Sequence, residues 1–394
     1  MGRVFVVGTA DTKAEELTYL AARIRAAGAV AVVVDIGTRP SAATVDVPQR
    51  VVAGHGDAAA IAGTDRGTAV TAMGKAFAAF IATQEQVDAV IAIGGGGGTS
   101  IACTGMRALP IGIPKLMVST LASGDISAFI GISDIVMMPA IADFAGLNRI
   151  SRMVLDRAAA AIAAMAQTGI APEASKPAIG LTMFGVTTPA VTAIIRELGA
   201  GFDAIPFHAT GTGGRTMEAL VDGGLITGVI DVTTTEVADL LVGGVLPAGP
   251  DRLDCIARKG IPYVGSLGAC DMVNFWARNT VPHAFADRLF YEHNANVTLM
   301  RTTVTECRAI GAWIGRKLNA CSGPVRFLIP EKGVSALDIE GGAFWSPEAD
   351  EALFDALTES VDWTDQRQLI RLPLHINDAA FARAAVEAFR DIWN

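Results

Sequence analysis

Short runs of apolar residues alternate along the chain with longer segments of helical periodicity. In the amino-terminal half the apolar runs are Val4 to Val7, Val30 to Ile36, Ala89 to Ile93, Leu116 to Val118 and Ile135 to Met138. Because these runs are apolar on both faces, each predicts a strand covered on both sides. Such strands alternating with helices predict an α/β fold built on a parallel sheet.

The carboxyl-terminal half repeats this order of elements. Its apolar runs are Ala178 to Met183, Phe202 to Phe207, Thr227 to Val232, Ile261 to Val264 and Val325 to Ile329. A polar, proline-containing stretch from Gln167 to Pro177 separates the halves and predicts a domain boundary near residue 175. We therefore expect two Rossmann-like, doubly wound parallel-sheet domains, residues 1–175 and 176–394, with a cleft between them. The loops Gly8 to Thr12 and Gly185 to Pro189, each after a first strand, suggest similar folding units.

Composition narrows the class of ligand. The 394 residues are 51% hydrophobic, which is enough for two cores, and the net charge of -9 without a basic cluster argues against a nucleic-acid surface. The first apolar run is too short for a secretory signal, and the alanine-rich stretch Ala158 to Ala171 is shorter than the ~20 apolar residues that span a bilayer. The five cysteines have no disulfide or zinc spacing. We expect a cytoplasmic protein that binds a small molecule and neither nucleic acid nor membrane.

The strongest chemical signal is a glycine run between a predicted strand and a predicted helix. It consists of Gly94, Gly95, Gly96, Gly97 and Gly98, followed by Thr99 and Ser100. Residues without a Cβ let backbone N–H groups point into one concavity, and a helix start adds unpaired donors and partial positive charge. The run matches neither the P-loop nor the dinucleotide motif GxGxxG. A merely flexible turn is the alternative, but the entropic cost of five glycines favours a phosphate-binding loop.

A second loop follows the first predicted strand. It contains Gly8, Thr9, Ala10, Asp11, Thr12 and Lys13. Open α/β sheets bind ligands at this end of their strands, so Lys13 is a candidate for phosphate and Asp11 for a magnesium ion. Thr12 and Glu15 also have the spacing of a helix capping box, and both interpretations stay open because capping and binding can coexist.

Two further loops are weaker candidates. Ser119, Ser123 and Gly124 follow the strand that ends at Val118, where a wall of the cleft is expected. Asn148 and Arg149 could reach the same ligand, although for Arg149 a solvated helix face is the more common situation.

The second half carries the candidate catalytic residues. His208 ends a strand before the glycine-rich turn Gly211 to Gly214, and Arg215 opens the next helix; histidine suits acid–base chemistry and arginine suits anions. Asp231 lies near an apolar strand end, where a carboxylate needs a partner. Glu236 is a further candidate, with a capping box to Thr233 as the alternative. Cys270 is a possible nucleophile, although an inert core cysteine is more common.

Five segments together resemble a known family. They are Gly8 to Lys13, Gly94 to Ser100, Leu109 to Ser119, Gly146 to Ser151 and His208 to Gly214. The chain resembles bacterial proteins of uncharacterised function that are similar to the ATP-binding amino-terminal domain of the tomato tobamovirus-resistance protein, a viral replication inhibitor. The family often has a serine within the glycine run where this chain has Gly96, which removes a hydroxyl contact and leaves the backbone cradle.

The resemblance implies two Rossmann-like subdomains, ATP with Mg²⁺ bound mainly by the first, and self-association as a homodimer or higher homo-oligomer. It implies no established reaction, and the plant protein's antiviral role is not transferred. We expect an ATP-binding protein that transfers a phosphoryl or nucleotidyl group to a small anionic metabolite in the cleft. The alternative is a non-catalytic, nucleotide-gated binding module. A third possibility is that the glycine run holds a nicotinamide dinucleotide.

Overall fold

The computed structural model describes residues 2–168 and 176–393. The chain forms two compact units, Met1–Pro172 and Glu173–Asn394. The predicted boundary near residue 175 lies outside the described residues. Within the described ranges, every helix is too short or too polar to cross a membrane.

The first unit is a five-stranded parallel sheet with helices on both faces. Its strands are β1 (Arg3–Gly8), β2 (Val30–Asp35), β3 (Ala89–Gly94), β4 (Lys115–Ser119) and β5 (Ile135–Pro139). Its helices are α1 (Ala10–Ala26), α2 (Gln49–Ala53), α3 (Ala58–Ala62), α4 (Arg66–Ala82), α5 (Gly96–Arg107), α6 (Ser127–Ile130) and α7 (Arg149–Gln167). The five predicted strands of this half are confirmed.

The burial of β1 and β3 on both faces explains their apolar runs. One face of the sheet packs against α1 and α7, and the other packs against α4 and α5. Alternate residues of one strand serve the two cores: Val4 and Val6 face the first, whereas Phe5 and Val7 face the second. All four side chains are fully buried.

The strand order of this sheet is β2-β1-β3-β4-β5. The chain runs from β1 to β2 on one side and then returns to place β3 on the other side of β1. The loops that leave the carboxyl ends of β1 and β3 therefore diverge over opposite faces of the sheet. Open α/β sheets bind their ligands at such a switch point.

The second unit contains a six-stranded parallel sheet and a small antiparallel one. Its strands are β6 (Ala178–Met183), β7 (Asp203–His208), β8 (Gly228–Thr233), β9 (Tyr263–Gly268), β10 (Met272–Phe275), β11 (Phe290–Asn294), β12 (Val297–Arg301), β13 (Val325–Pro330) and β14 (Arg367–Leu372). Its helices are α8 (Thr188–Leu198), α9 (Thr212–Asp222), α10 (Thr235–Val242), α11 (Asp254–Lys259), α12 (Val304–Asn319), α13 (Pro347–Ser360) and α14 (Ala379–Ile392).

The larger sheet has the order β14-β13-β9-β8-β6-β7. In the reverse direction, β7-β6-β8-β9-β13 has the same order along the chain as β2-β1-β3-β4-β5 of the first unit, and β14 adds a sixth strand at the edge. The prediction of two similar Rossmann-like units is confirmed. Sequence analysis missed β14, an edge strand in which polar residues interrupt the apolar pattern, and the antiparallel sheet β10-β12-β11. The strand β11 is largely exposed, so burial leaves little pattern in its sequence.

Candidate functional site

A cavity of about 1070 Å³ opens at the carboxyl ends of β1, β2 and β3. Thr9 to Lys13 after β1 and Gly95 to Gly98 after β3 line it together, apart from Ala10. Thr38 to Pro40 after β2 form a third side, and residues of α2, α3 and α4 complete the wall. The two loops singled out by the sequence therefore meet at one cavity, at the switch point of the first sheet.

The glycine run forms the first turn of α5. Gly95 is the N-cap residue and makes no side-chain cap, and the first helical hydrogen bond runs from the Thr99 N–H to the Gly95 carbonyl, 2.8 Å. The N–H groups of Gly96, Gly97 and Gly98 precede this bond, so the helix itself does not use them. A helix start with free donors and no capping side chain is a site for an anion.

The fold requires only one of the five glycines. A Cβ on Gly94 would lie 2.8 Å from the Thr99 backbone nitrogen, because the strand end packs tightly under the helix start. On Gly95 to Gly98 a Cβ would make only ordinary contacts, at 3.5 Å or more from the nearest protein atom. Their backbone angles are open to other residues as well, since none has a positive φ. Four glycines therefore keep a space free without serving the protein's own packing.

The loop after β1 is helical from its start. The helix α1 begins at Ala10, with Thr9 as the N-cap residue, and it is interrupted at Lys13, where φ is -135° and ψ is 28°. The Thr9 and Thr12 hydroxyl oxygens are 3.0 Å apart. Among the described residues Thr12 makes no hydrogen bond to Glu15, so the capping box that their spacing suggested does not form.

Asp35, at the end of β2, holds this loop in place. Its Oδ1 accepts hydrogen bonds from the Ala10 N–H at 2.9 Å and the Gly37 N–H at 2.8 Å. Burial raises the pKa of Asp35, and the charge of Asp11 adds to that effect. Asp35 is not among the predicted site residues, although an acidic residue at the end of an apolar strand is a usable signal.

Four cationic side chains line the cavity. They belong to Lys13, Arg39, Arg50 and Arg66, whereas Asp11 is the single carboxylate of the lining. Among the described residues, none of the four cations has a carboxylate within 4.0 Å. Of these four, only Lys13 is predicted from the sequence, because the three arginines lie in the connection from β2 to β3 and form no local motif.

The helices α4 and α5 lie side by side in the same direction. The Gly97 position faces Val70, and the later Gly105 position is pressed against Phe77. Both helices therefore start at the same end of the sheet, next to the cavity, and the positive ends of their dipoles lie on the same side.

The structure divides the predicted cofactor residues into two groups. The first group lines the cavity and consists of Thr9, Asp11, Thr12, Lys13, Gly95, Gly96, Gly97 and Gly98. The second group lies outside the lining and consists of Gly8, Ala10, Gly94, Thr99, Ser100, Ser119, Ser123 and Gly124. The Thr99 and Ser119 hydroxyls are fully buried and bond to each other at 2.7 Å. Asn148 caps α7 by accepting from the Ile150 and Ser151 N–H groups.

In the second unit, Asp231 and Glu236 belong to a closed ion cluster around Arg252. Arg252 donates to Asp231 Oδ2 at 2.7 Å, to Glu236 Oε1 at 2.6 Å and to Glu218 Oε1 at 3.0 Å. Neither Asp231 nor Glu236 has exposed surface. Burial lowers the pKa of Arg252, but the three carboxylates outweigh burial and raise it above its ordinary value. We expected these carboxylates to meet a substrate; the structure engages them with Arg252 instead.

The glycine-rich turn of the second unit is filled by the protein itself. Glu236 Oε2 accepts the Gly211 N–H at 2.7 Å, so a carboxylate of the fold occupies the start of α9. A Cβ on Gly214 would overlap that carboxylate, and a Cβ on Gly213 would overlap the His208 carbonyl. Gly211 has a φ of +76°, a left-handed conformation that favours glycine.

The remaining candidates of the second unit make no hydrogen bond to the side chains of the Arg252 cluster among the described residues. His208 is exposed, packs edge-on against Phe184 with ring centroids 5.2 Å apart, and has a pKa lowered by partial burial. Arg215 is exposed and donates through Nε to the Gly211 carbonyl at 3.1 Å. Cys270 is fully buried, and burial raises the pKa of its thiol, so it lacks the character of a nucleophile.

Two family profiles cover the two units. Residues 2–171 match the N-terminal domain of "Uncharacterised protein family (UPF0261)", and residues 176–393 match its C-terminal domain. A UPF0261 protein of Rhizobium meliloti is 62% identical over 397 residues, with 100% of each chain covered.

The resemblance to the tomato protein is also confirmed. The ToMV resistance protein Tm-1 of Solanum lycopersicum is 44% identical over 421 residues, and the match covers 99% of this chain and 56% of the tomato protein. Among solved structures, MurG of Acinetobacter baumannii aligns with 98% of this chain and 99% of its own at 14% identity and a TM-score of 0.24. That score is too low to support a conclusion.

Proposed function

Given that the chain belongs to the uncharacterised protein family UPF0261, we propose that its first unit is a nucleotide-binding domain that holds ATP, with Mg²⁺, in the cavity at the ends of β1, β2 and β3. The observation that carries this proposal is the set Gly95 to Gly98, which the fold does not require. Glycine in place of alanine costs a helix roughly 0.5–1 kcal/mol per residue. A ligand that approaches the backbone here accounts for that cost.

The distribution of positive charge supports an elongated anion. Arg39 follows β2 and Lys13 follows β1, while Arg66 lies beside the glycine run after β3. Neighbouring strands lie about 4.8 Å apart, so the ends of three strands span about 10 Å. A single inorganic phosphate reaches only part of that distance, whereas a chain of phosphates extends along it.

The part of the wall near β2 suits a nucleoside. Ala53, Ile61 and Ala62, from α2 and α3, present apolar groups to the cavity, and Thr38 and Gln49 add polar ones. Sites for small organic ligands combine an apolar lining with a few polar groups in this way. We therefore place the nucleoside against α2 and α3 and its phosphates toward the glycine run.

The residues present also fit a magnesium ion that arrives with the nucleotide. In the described part of the chain, no three or more His, Cys, Asp or Glu side chains converge as a metal site. Mg²⁺ at a nucleotide needs only one or two carboxylates in addition to phosphate oxygens and water. Asp11 lines the cavity and would hold the ion, which neutralises charge on the phosphates.

The enclosed state of Asp231 and Glu236 favours a nucleotide-gated binding module over a transferase. Both carboxylates are engaged by Arg252, so neither is available to a metabolite in this conformation. Phosphoryl or nucleotidyl transfer would have to rely on exposed groups such as His208 and Arg215. Release of ADP or pyrophosphate, measured against a panel of anionic metabolites, distinguishes the two, and turnover with any metabolite would contradict the binding-only form.

The first experiment is the substitution Gly97→Ala in the full chain. The added methyl fits against Val70, so we expect the unfolding temperature to stay equal or to rise. The methyl group also occupies space that Gly95 to Gly98, the glycine cradle, keep free, and so holds a phosphate away from the backbone N–H groups. Loss of one charge-assisted hydrogen bond there lowers ATP affinity about tenfold or more. Calorimetric titration with ATP and Mg²⁺ measures the affinity.

Gly185→Ala is the matched control. Gly185 is an exposed glycine after β6, and no protein atom lies within 4 Å of its added Cβ. This variant should bind ATP as the wild type does. Unchanged ATP affinity in Gly97→Ala would remove the glycine run from the site, and binding of a nicotinamide dinucleotide in preference to ATP would identify a different ligand.

The proposal includes two wider expectations. ATP and Mg²⁺ are intracellular ligands, so we place the protein in the cytoplasm. We also propose that it forms a homodimer, as the resemblance implies. Light scattering coupled to gel filtration, with and without ATP, tests self-association; a monomer under both conditions would contradict it.

A further inference from the structure

Arg66 lies directly beside the glycine cradle. A Cβ added to Gly97 would be 4.0 Å from Arg66 Nη2, so the guanidinium group borders the space that the glycines keep free. Arg66 belongs to none of the motifs that the sequence pattern indicates. Its position next to the free N–H groups of α5 makes it a direct neighbour of any anion bound there.

The guanidinium group of Arg66 is not engaged by the protein's own acids. The preceding Asp65 uses its Oδ1 to accept the Thr68 N–H at 2.7 Å, which caps α4. In the described ranges no carboxylate lies within 4.0 Å of the Arg66 nitrogens. An exposed arginine that borders a cavity and has no ion partner is available to a ligand.

The helix that carries Arg66 is fixed against the helix that carries the cradle. The Gly105 position of α5 has no room for a side chain because Phe77 of α4 packs against it. The starts of α4 and α5 are therefore held at a fixed distance, and the guanidinium group of Arg66 lies at a fixed position beside the glycine run. Arginine binds phosphate oxygens bidentately with this fork, which the point charge of lysine does not reproduce.

We propose that Arg66 is the residue that recognises the terminal phosphate and makes this site select nucleoside triphosphates over diphosphates. The inference rests on the proposed nucleotide site. The nucleoside lies against α2 and α3 near β2, Lys13 follows the middle strand β1, and the cradle with Arg66 lies at β3. Along this line only the last phosphate of a triphosphate reaches Arg66, whereas a diphosphate ends short of it.

The test is the substitution Arg66→Gln, with titration of ATP and ADP into the full chain at fixed Mg²⁺. Loss of the charged fork should weaken ATP binding about tenfold or more and leave ADP binding nearly unchanged, so that the ATP-to-ADP preference falls. Arg66→Lys keeps the charge without the fork and should restore only part of that preference.

Arg157→Gln is the matched control. Arg157 is an exposed arginine of α7 in the same unit, and it lies outside the cavity lining. This variant should keep both affinities. If Arg66→Gln weakens ATP and ADP equally, or neither, the selective role is overturned while the nucleotide site stands. If the wild type binds neither nucleotide, the nucleotide site is overturned and the role of Arg66 with it.

Discussion

The two glycine-rich turns of this protein have similar sequences and opposite environments. Gly95 to Gly98 in the first unit border an open cavity, and side chains there would find room. Gly211 to Gly214 in the second unit also open a helix after a strand, but the carboxylate of Glu236 accepts a backbone N–H at that helix start. The first turn is free to bind an anion, whereas the second already holds one that the fold supplies.

The contrast shows what a glycine pattern can and cannot establish. Glycines are required where another part of the chain comes too close for a Cβ, as Glu236 does at Gly214 and as the Thr99 backbone does at Gly94. They indicate a ligand only where no such neighbour exists. The discriminating observation is the space around each Cβ position, which the local sequence does not contain.

The largest expected effect comes from removing Arg252, the cation that binds the carboxylates beside the glycine-rich turn of the second unit. Arg252→Met would leave Glu218, Asp231 and Glu236 buried without their shared partner. Breaking a buried ion cluster in this way costs about 3–5 kcal/mol. We expect a large fall in the urea midpoint of the second unit.

The matched control is Arg258→Met, because Arg258 pairs with Asp222 at the surface. Exposed pairs contribute at most about 1 kcal/mol. Equal effects of the two substitutions would mean that the Arg252 cluster does not hold the second turn together.

The next effect concerns the second turn itself. Gly214→Ala places a methyl group on the Glu236 carboxylate, and we expect overpacking to lower the free energy of unfolding by about 1–3 kcal/mol. Gly97→Ala, by contrast, should not destabilise the first unit. Urea denaturation of both variants under identical conditions compares the turns directly, and similar stabilities would erase the distinction between them.

Sequence analysis predicted the features that depend on local pattern. All ten predicted strands exist, and the loops at Thr9 to Lys13 and Gly95 to Gly98 meet because strand ends of a parallel sheet share one edge. It did not predict the contributions of Arg39 and Arg66, which reach the cavity through tertiary packing of α4 and the loop after β2. Nor could it show that Arg252 encloses Asp231, because only the folded chain brings them together.

The second unit encloses a further group of charged side chains, around Arg301. In the second unit Asp271 and Asp338 are fully buried beside Arg301, and each has a carboxylate oxygen without a hydrogen-bond partner among the described residues. Burial, followed by repulsion from Asp338, raises the pKa of Asp271 to about 7. The same two causes raise the pKa of Asp350 to about 8.

These shifts predict the pH dependence of the second unit. The folded state holds the protons more tightly than the unfolded chain, so the stability that they contribute is full below about pH 4 and is lost as pH rises through 7 to 8. The loss is at most about 1.4 kcal/mol per pH unit for each group. The free energy of unfolding of Asp271→Asn, measured by urea denaturation, should therefore rise relative to that of the wild type as pH increases from 5.5 to 8.5. A constant difference across that range would contradict the raised pKa of Asp271.

The smallest expected effect concerns Ser119, and it tests whether this side chain supports the glycine run of the first unit or contacts the ligand. Ser119 Oγ accepts the Leu121 N–H at 3.0 Å and bonds to the Thr99 hydroxyl, and it lies outside the cavity lining. Ser119→Ala should cost about 1 kcal/mol of stability, because it leaves buried polar groups without a partner, and should keep the ATP affinity of the wild type. Thermal unfolding and calorimetric titration measure the two quantities. The opposite result, unchanged stability with weakened ATP binding, would return Ser119 to the ligand, where its sequence position had placed it.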